Sequence, residues 1–253
     1  MNRVRVRQTV IGEGKPKIVV PIVAGTEAEV EEQVKEARQQ KADMLEWRGD
    51  WFDGIFDWEK VENVLRQLRK YVGEMPVLFT FRTANEGGEK EISRDEYRRL
   101  NIEVAKSQMA DLIDVEGVAF ENADSLIEEL KELGSKVIVS SHDFNKTPQK
   151  NEMIGRLCEM QKMGADIVKL AVMPQSVKDV LELLAATEEM NRLYAKQPIV
   201  TMSMAGQGVI SRLAGELVGS TMTFGTAGKE SAPGQIDVKE LDFILTTIHN
   251  QLR

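Results

Sequence analysis

Lys169 stands in the middle of ADIVKLAVM, residues 165 to 173, an apolar run with the length and composition of a buried strand. An ammonium buried there without a partner costs several kcal/mol and tends to shed its proton. In the ordinary case the stem of such a lysine lies along apolar surface and its head reaches water. In the sharper case the amine is kept neutral to act as a nucleophile. At pH 7 an unperturbed lysine is neutral in roughly one molecule in a few thousand, and holding it neutral costs up to about 4.6 kcal/mol. The chain has two histidines. His142 ends the apolar run VIVSSHDF, on the strand preceding the one with Lys169, where proton transfer is the better reading. His249 lies near the end of the helical segment DVKELDFILTTIHNQLR, where a cation meets a helix C-terminus and a structural role suffices.

Residues two apart on a strand share a face, which pairs Glu46 with Arg48, Thr80 with Arg82, Asp114 with Glu116, and Ser140 with His142. Strands buried on both faces should stay apolar. These four instead turn polar toward their C-terminal ends. Any one pair is accounted for by an ion pair with a neighbouring element, whereas four together, beside Lys169, point to a polar pocket.

The elements that must hold these residues alternate along the chain. Eight short apolar runs recur: KIVVPIV (17–23), DMLEWR (43–48), VLFTFR (77–82), LIDVEG (112–117), KVIVSSH (136–142), DIVKLAV (166–172), PIVTMSM (198–204) and STMTFGT (220–226). Segments of helical periodicity separate them, among them EAEVEEQVKEARQQ, RDEYRRLNIEVAKSQ and NADSLIEELKEL. Eight strand and helix units in 253 residues predict an α/β fold, a (β/α)8 TIM barrel formed as a single domain over 1–253, with a doubly wound open sheet as the alternative. The opening VRVRQTVIGEGKPKI predicts a hairpin with a glycine-containing turn before the first barrel strand. Polar residues at strand C-terminal ends then lie where barrel enzymes build their sites.

Composition narrows the setting. The single Cys158 excludes an intrachain disulfide and a cysteine metal cluster and fits a reducing compartment. A formal net charge of -8 argues against general nucleic-acid binding. The N-terminus lacks the apolar core of a signal peptide and no stretch approaches transmembrane length, so a cytoplasmic protein without membrane association is expected. GTAGKES (225–231) lacks the spacing of a phosphate loop. Met202 and Met204 are core residues or an apolar pocket wall. Trp47, Trp51 and Trp58 read as packing and loop anchors.

EWRGD after the second strand, TFRTANEGG after the third, SSHDF at the fifth, VKLAVMP at the sixth, and Arg212 with SAPGQ together resemble the type I 3-dehydroquinate dehydratase family, Schiff-base lyases of the shikimate pathway. The match runs in order over almost the whole chain. It implies a (β/α)8 barrel that dehydrates 3-dehydroquinate to 3-dehydroshikimate, acts without metal or organic cofactor, and forms a homodimer. Carried over residue by residue, Lys169 condenses with the C3 ketone and His142 transfers protons. Glu86 orients His142 and raises its basicity. Glu46, Arg48 and Arg82 hold ring hydroxyls. Arg212 meets the substrate carboxylate, Ser231 and Gln235 come from a loop, and Met202 and Phe224 form apolar walls. Apolar strand neighbours, with Arg48 and Arg82, are expected to keep Lys169 neutral. The loop GTAGKESAPGQ has the composition of a segment that stands open and closes over a ligand. A class I aldolase on the same barrel would share the lysine, and a catalytically dead barrel would bind a small carboxylate only.

Overall fold

Short β-branched runs joined by amphipathic segments bury both faces of each strand when they lie parallel, with the connecting helices outside. The computed structural model, which describes residues 2–117, 122–228 and 231–252, has this arrangement. A hairpin of β1 (Val4–Val6) and β2 (Thr9–Ile11) precedes β3 (Lys17–Ile22), α1 (Glu27–Arg38), β4 (Met44–Arg48), α2 (Trp58–Val72), β5 (Val77–Thr80) and α3 (Arg94–Ser107). Next come β6 (Leu112–Glu116), α4 (Ala123–Glu132), β7 (Lys136–Asp143), α5 (Lys150–Lys162), β8 (Ile167–Val172) and α6 (Val177–Glu189). The chain ends with β9 (Ile199–Ser203), the short α7 (Val209–Leu213) and α8 (Gly215–Val218), β10 (Met222–Thr226), the two-residue β11 (Ile236–Asp237) and α9 (Val238–Gln251).

The eight apolar runs of the sequence are the strands β3 to β10. They form one parallel sheet in which β10 lies beside β3 and the rest follow in chain order to β9. The sheet curls until its ends meet at a thin seam. Ile199 bridges Ser220, and the Thr221 N–H donates to the Ile199 carbonyl at 2.8 Å. The (β/α)8 barrel is therefore the observed fold. Helix starts are set by side chains, with capping boxes at Thr26/Glu29, Ser93/Glu96 and Ser176/Asp179 fixing where α1, α3 and α6 begin.

Alternation along the strands divides the core in two. Val20, Trp47, Phe79, Val115, Val139 and Leu170 point outward and pack under the helices. Val19, Met44, Leu78, Leu112, Ile138 and Ile167 point into the lumen, where Val4, Val6 and Ile11 of the hairpin join them and close its N-terminal mouth. The hairpin turn differs from expectation. It carries no glycine, Arg7 taking the left-handed conformation at φ 50°, while Gly12 and Gly14 follow β2 and lead into β3.

Three Ala-Asp pairs recur at the strand starts of β4, β6 and β8. In each, the carboxylate accepts a backbone N–H from an earlier strand: Asp43 from Ile18 at 2.8 Å, Asp111 from Val77 at 2.9 Å and Asp166 from Val137 at 3.0 Å. Asp111 also pairs with Arg7 and Arg69, both at 2.6 Å. Asp111→Ala should lower stability by about 2–3 kcal/mol, the worth of charge-assisted hydrogen bonds, and leave turnover unchanged because this end of a barrel carries stability. Thermal unfolding beside steady-state kinetics checks this; a loss of turnover without a loss of stability would refute it.

Candidate active site

Lys169 occupies an inward position of β8, and its sequence neighbours Val168 and Leu170 face the helices instead. Sequence reading credits those neighbours with keeping the amine neutral; strand geometry turns both away. The lumen does the desolvating. Lys169 is only 5% exposed, and its Nζ lies 4.5 Å from the centre of the Phe224 ring. Burial holds the amine below the ordinary lysine value against the opposing pull of Asp114 and Glu46, and Arg82 and Arg48 push the same way as burial.

His142 lies on the inward face of β7, one strand away. Its ring Nδ1 is 2.9 Å from Glu86 Oε2, and the same oxygen accepts the His142 backbone N–H at 3.1 Å. Where Glu86 is ionised its Oε2 can only accept, and Nδ1 then carries the ring proton. The lone pair is then on Nε2. Glu86 reaches this place through a 3-10 turn, residues 84–86, followed by Gly87 and Gly88. A Cβ on Gly88 would stand 1.8 Å from the Arg82 carbonyl oxygen, and one on Gly87, at φ 82°, would meet the Phe144 ring at 2.3 Å. The two glycines of TANEGG let the chain fold back beneath the histidine.

Electrostatics here differ from expectation. Burial pushes the Glu86 carboxyl up to about 8, with Glu116 and Asp114 adding to the shift and Arg82 opposing it. The imidazole is held well below its ordinary value by burial and by Arg82, Lys169 and Arg48. In its ionised form Glu86 fixes the tautomer of His142, but the surroundings lower the ring's basicity rather than raise it.

Arg82 is the centre of the polar network. One nitrogen of its fork donates to Asp114 Oδ1 at 2.7 Å, and the other to Glu116 at 2.9 Å, Ser140 at 3.0 Å and Glu86 at 3.4 Å. Arg48 is held by both oxygens of Asp50, at 2.8 and 2.7 Å, and Glu46 accepts from Thr80 at 2.8 Å. Arg212, on α7, reaches the Phe224 carbonyl at 3.4 Å and the Pro233 carbonyl at 3.2 Å, beside Met202 Sδ at 4.0 Å.

The segment after β10 lies over this pocket. The Ser231 carbonyl accepts from Arg48 at 3.4 Å, the Pro233 carbonyl accepts from the Ala205 N–H at 3.1 Å, and Gln235 Nε2 donates to Ser231 Oγ at 3.0 Å. Residues 229 and 230 of the loop expected to stand open lie outside the described residues; 231–235 are folded down.

All eleven residues singled out in the sequence line one pocket of about 500 Å³ at the C-terminal ends of the strands. Phe144, Ala171 and Met204 line it as well. Asp50 went unnoticed in the sequence, and Asp114, Glu116 and Thr80 were legible as polar strand residues without a role. Their signal is the two-residue spacing from a charged neighbour. His249 is elsewhere, on α9, bonded to Glu216 at 2.5 Å. Among the described residues no helix is long and apolar enough to cross a membrane.

Comparison with known proteins bears on this pocket. The sequence profile of the family described as Type I 3-dehydroquinase matches residues 18–252. The 3-dehydroquinate dehydratase of Clostridioides difficile is 49% identical over 252 residues, 99% of this chain and 99% of that protein. That of Listeria monocytogenes serotype 4a is 50% identical over 253 residues, covering 99% and 100%. A solved structure of the type I enzyme from Clostridium difficile with covalently modified comenic acid superposes with a TM-score of 0.96 at 49% identity over 99% of each chain. A 3-dehydroquinate dehydratase structure from Geobacillus kaustophilus gives 0.97 at 38% identity, covering 100% of this chain and 98% of that one.

The depressed basicity of His142 is directly measurable, since the chain has two histidines and His249→Gln assigns the signals. The His142 ring carbon resonance should titrate with a midpoint below 6.5, the ordinary value, because burial and three cations disfavour the imidazolium. Above pH 7 the remaining movement should be the smaller one caused by Glu86, 2.9 Å away, losing its proton at about 8. A midpoint at or above the ordinary value would show that the ring is solvated.

Proposed function

The chain belongs to the type I 3-dehydroquinase family and is a hydro-lyase of the shikimate pathway that dehydrates 3-dehydroquinate, and we propose that it works through an imine on Lys169 with His142 moving the protons. The observation that carries this reading is a buried amine with a lowered proton affinity sharing one pocket with a buried histidine whose Nε2 is free to act as base. The relative solved with covalently modified comenic acid fits a site that bonds an organic acid covalently.

Dehydration of a β-hydroxy ketone needs a proton removed beside the carbonyl and hydroxide expelled from the next carbon, both poor steps at neutral pH. The neutral Lys169 attacks the C3 ketone, and loss of water leaves an iminium, an electron sink that acidifies the C2 proton. His142 Nε2 takes that proton and then gives it to the departing C1 hydroxyl, so one base serves both steps when the groups leave from one face. Glu86, by fixing Nδ1–H, keeps Nε2 as the basic nitrogen. Glu46, Arg48 and Arg82 hold ring hydroxyls, and the Arg212 fork matches the geometry of the substrate carboxylate. Ser231 and Gln235 close over the ligand, and Met202 and Phe224 are the apolar walls. The family assignment sets aside the aldolase reading.

A cytoplasmic location, within one barrel domain, fits a chain whose single Cys158 is free. We also propose a homodimer. Helices α6, α7 and α8 lie together and expose Val177, Leu181, Ile210 and Leu217, an apolar set that an isolated subunit would leave in water. Sedimentation should give twice the chain mass, and Leu181→Asp with Leu217→Asp should halve it; a wild-type monomer would overturn the dimer.

The division of labour has its own experiment. After incubation with substrate and borohydride, His142→Ala should carry the reduced adduct on Lys169 while its turnover falls by about 10² to 10⁴, the usual contribution of a positioned acid or base. Lys169→Ala should show neither adduct nor turnover. Near wild-type turnover in His142→Ala, or an adduct mapped to another lysine, refutes the assignment.

A further inference from the structure

Besides Glu86, three buried carboxylates hold the arginines of the pocket, and two of these three are fully used. Glu116 accepts from Arg82 and the Thr83 N–H with one oxygen and from the Thr83 hydroxyl with the other. Asp50 accepts from Arg48 with both oxygens. Asp114 is different. Its Oδ1 takes Arg82 at 2.7 Å and Ser140 at 2.6 Å, while its Oδ2 is buried and has no hydrogen-bond partner. That oxygen stands 3.6 Å from Lys169 Nζ. An orphan carboxylate oxygen sealed from water is costly and calls for a partner.

We infer that Asp114 is the counter-ion of the iminium on Lys169, its open oxygen Oδ2 placed to balance a positive charge that exists at Nζ only during the reaction. The inference rests on the imine reading above. In condensation, the nitrogen bonds C3 and the ketone oxygen leaves as water with one proton from the nitrogen and one taken up from solvent, so the nitrogen keeps one hydrogen and a positive charge. When His142 takes the C2 proton, the C2–H pair becomes the C2=C3 bond and the C=N π pair returns to nitrogen, which is then neutral. When that lone pair reforms C=N, the C2=C3 pair shifts to C1=C2, the C1–O bond breaks, and the hydroxide leaves as water with the proton from His142. The nitrogen is positive again until water hydrolyses the imine.

An imine that loses its N–H proton is no electron sink. Burial drives that loss, because desolvation disfavours the cation. The groups facing Nζ are Glu46 and Arg48 from β4, Arg82 after β5, Asp114 from β6, His142 from β7 and the Phe224 ring from β10. Both arginines act against the cation. Among the described residues the one carboxylate within ion-pair reach of Nζ is Asp114. Glu46 spends Oε1 on Thr80.

Asp114→Asn keeps the shape and the acceptor for Arg82 and Ser140 and removes the charge. It should form the same borohydride-reducible adduct on Lys169, with KM changed little. Its kcat should fall about 10- to 1,000-fold, and the alkaline limb of kcat should move down by about 1–3 pH units, the effect of one opposite charge at this range. A purely structural role would lower stability without moving that limb. Unchanged kcat and an unmoved limb overturn the inference. Failure of wild-type enzyme to form any adduct at Lys169 overturns the imine reading instead, so the two are distinguishable. If the Asn variant does not fold, difference Raman spectroscopy of wild-type enzyme with bound product decides. The C=N stretch should shift in heavy water up to roughly pH 9, two units above neutral and within the reach of one counter-charge. Loss of that shift near neutral pH would overturn the counter-ion.

Discussion

A guanidinium sealed inside the barrel mouth is the constraint on which the rest of the site depends. Arg82 is only 3% exposed, and a cation so placed is tolerable only when carboxylates and hydrogen bonds enclose it. Strand β6 supplies Asp114 and Glu116, β7 supplies Ser140, and the turn after β5 supplies Glu86. Each of these commitments has a second effect. Glu116 also takes the Thr83 N–H and hydroxyl and so bends the chain out of β5, which brings Glu86 under His142. The crowding of Glu86, Asp114 and Glu116 around one cation helps burial raise the Glu86 carboxyl. The field of Arg82 reaches Lys169 and His142, where it adds to burial in disfavouring their charged forms. A buried network of this kind is poor evidence of stability, since apolar side chains of equal volume often do as well or better. Its return is chemical: the charged forms of Lys169 and His142 are both disfavoured where the reaction needs an amine and a neutral imidazole.

The barrel keeps this polar cluster and its stability apart along one axis. Below it, the lumen is filled by Val19, Met44, Leu78, Leu112, Ile138 and Ile167 and sealed by the hairpin. Parallel strands make the division possible, because every strand runs toward the same mouth and a side-chain step of two residues climbs from the apolar floor to the reacting groups. Ile167 and Lys169 on β8, and Ile138, Ser140 and His142 on β7, are such ladders. Above, the segment 231–235 completes the wall, with its backbone bonded to Arg48, Arg212 and Ala205. Binding groups from β4, β5, α7 and this loop therefore meet over groups from β7 and β8, which no two adjacent elements could arrange alone.

The sequence by itself determined the eight strands, the helices between them and the face each strand residue occupies, because period-two and period-3.6 patterns are local consequences of backbone geometry. Thus Glu46 with Arg48, and Ser140 with His142, were legible as inward pairs, and ordered motifs such as TFRTANEGG and VKLAVMP marked the residues of one site. What the tertiary structure decided is which charges face one another. That Asp50 clamps Arg48, that Arg82 gathers Asp114, Glu116 and Glu86, and that one oxygen of Asp114 is left facing Lys169 follow from strand register and barrel closure, which no local pattern encodes. The same register corrected the cause assigned to Lys169: Val168 and Leu170 adjoin it in sequence but lie across the sheet from it, and the lumen is what takes it from water. The direction of the histidine's shift was likewise beyond the sequence, because desolvation and the charges of Arg82, Lys169 and Arg48 add up at the ring only when the barrel brings these distant segments together.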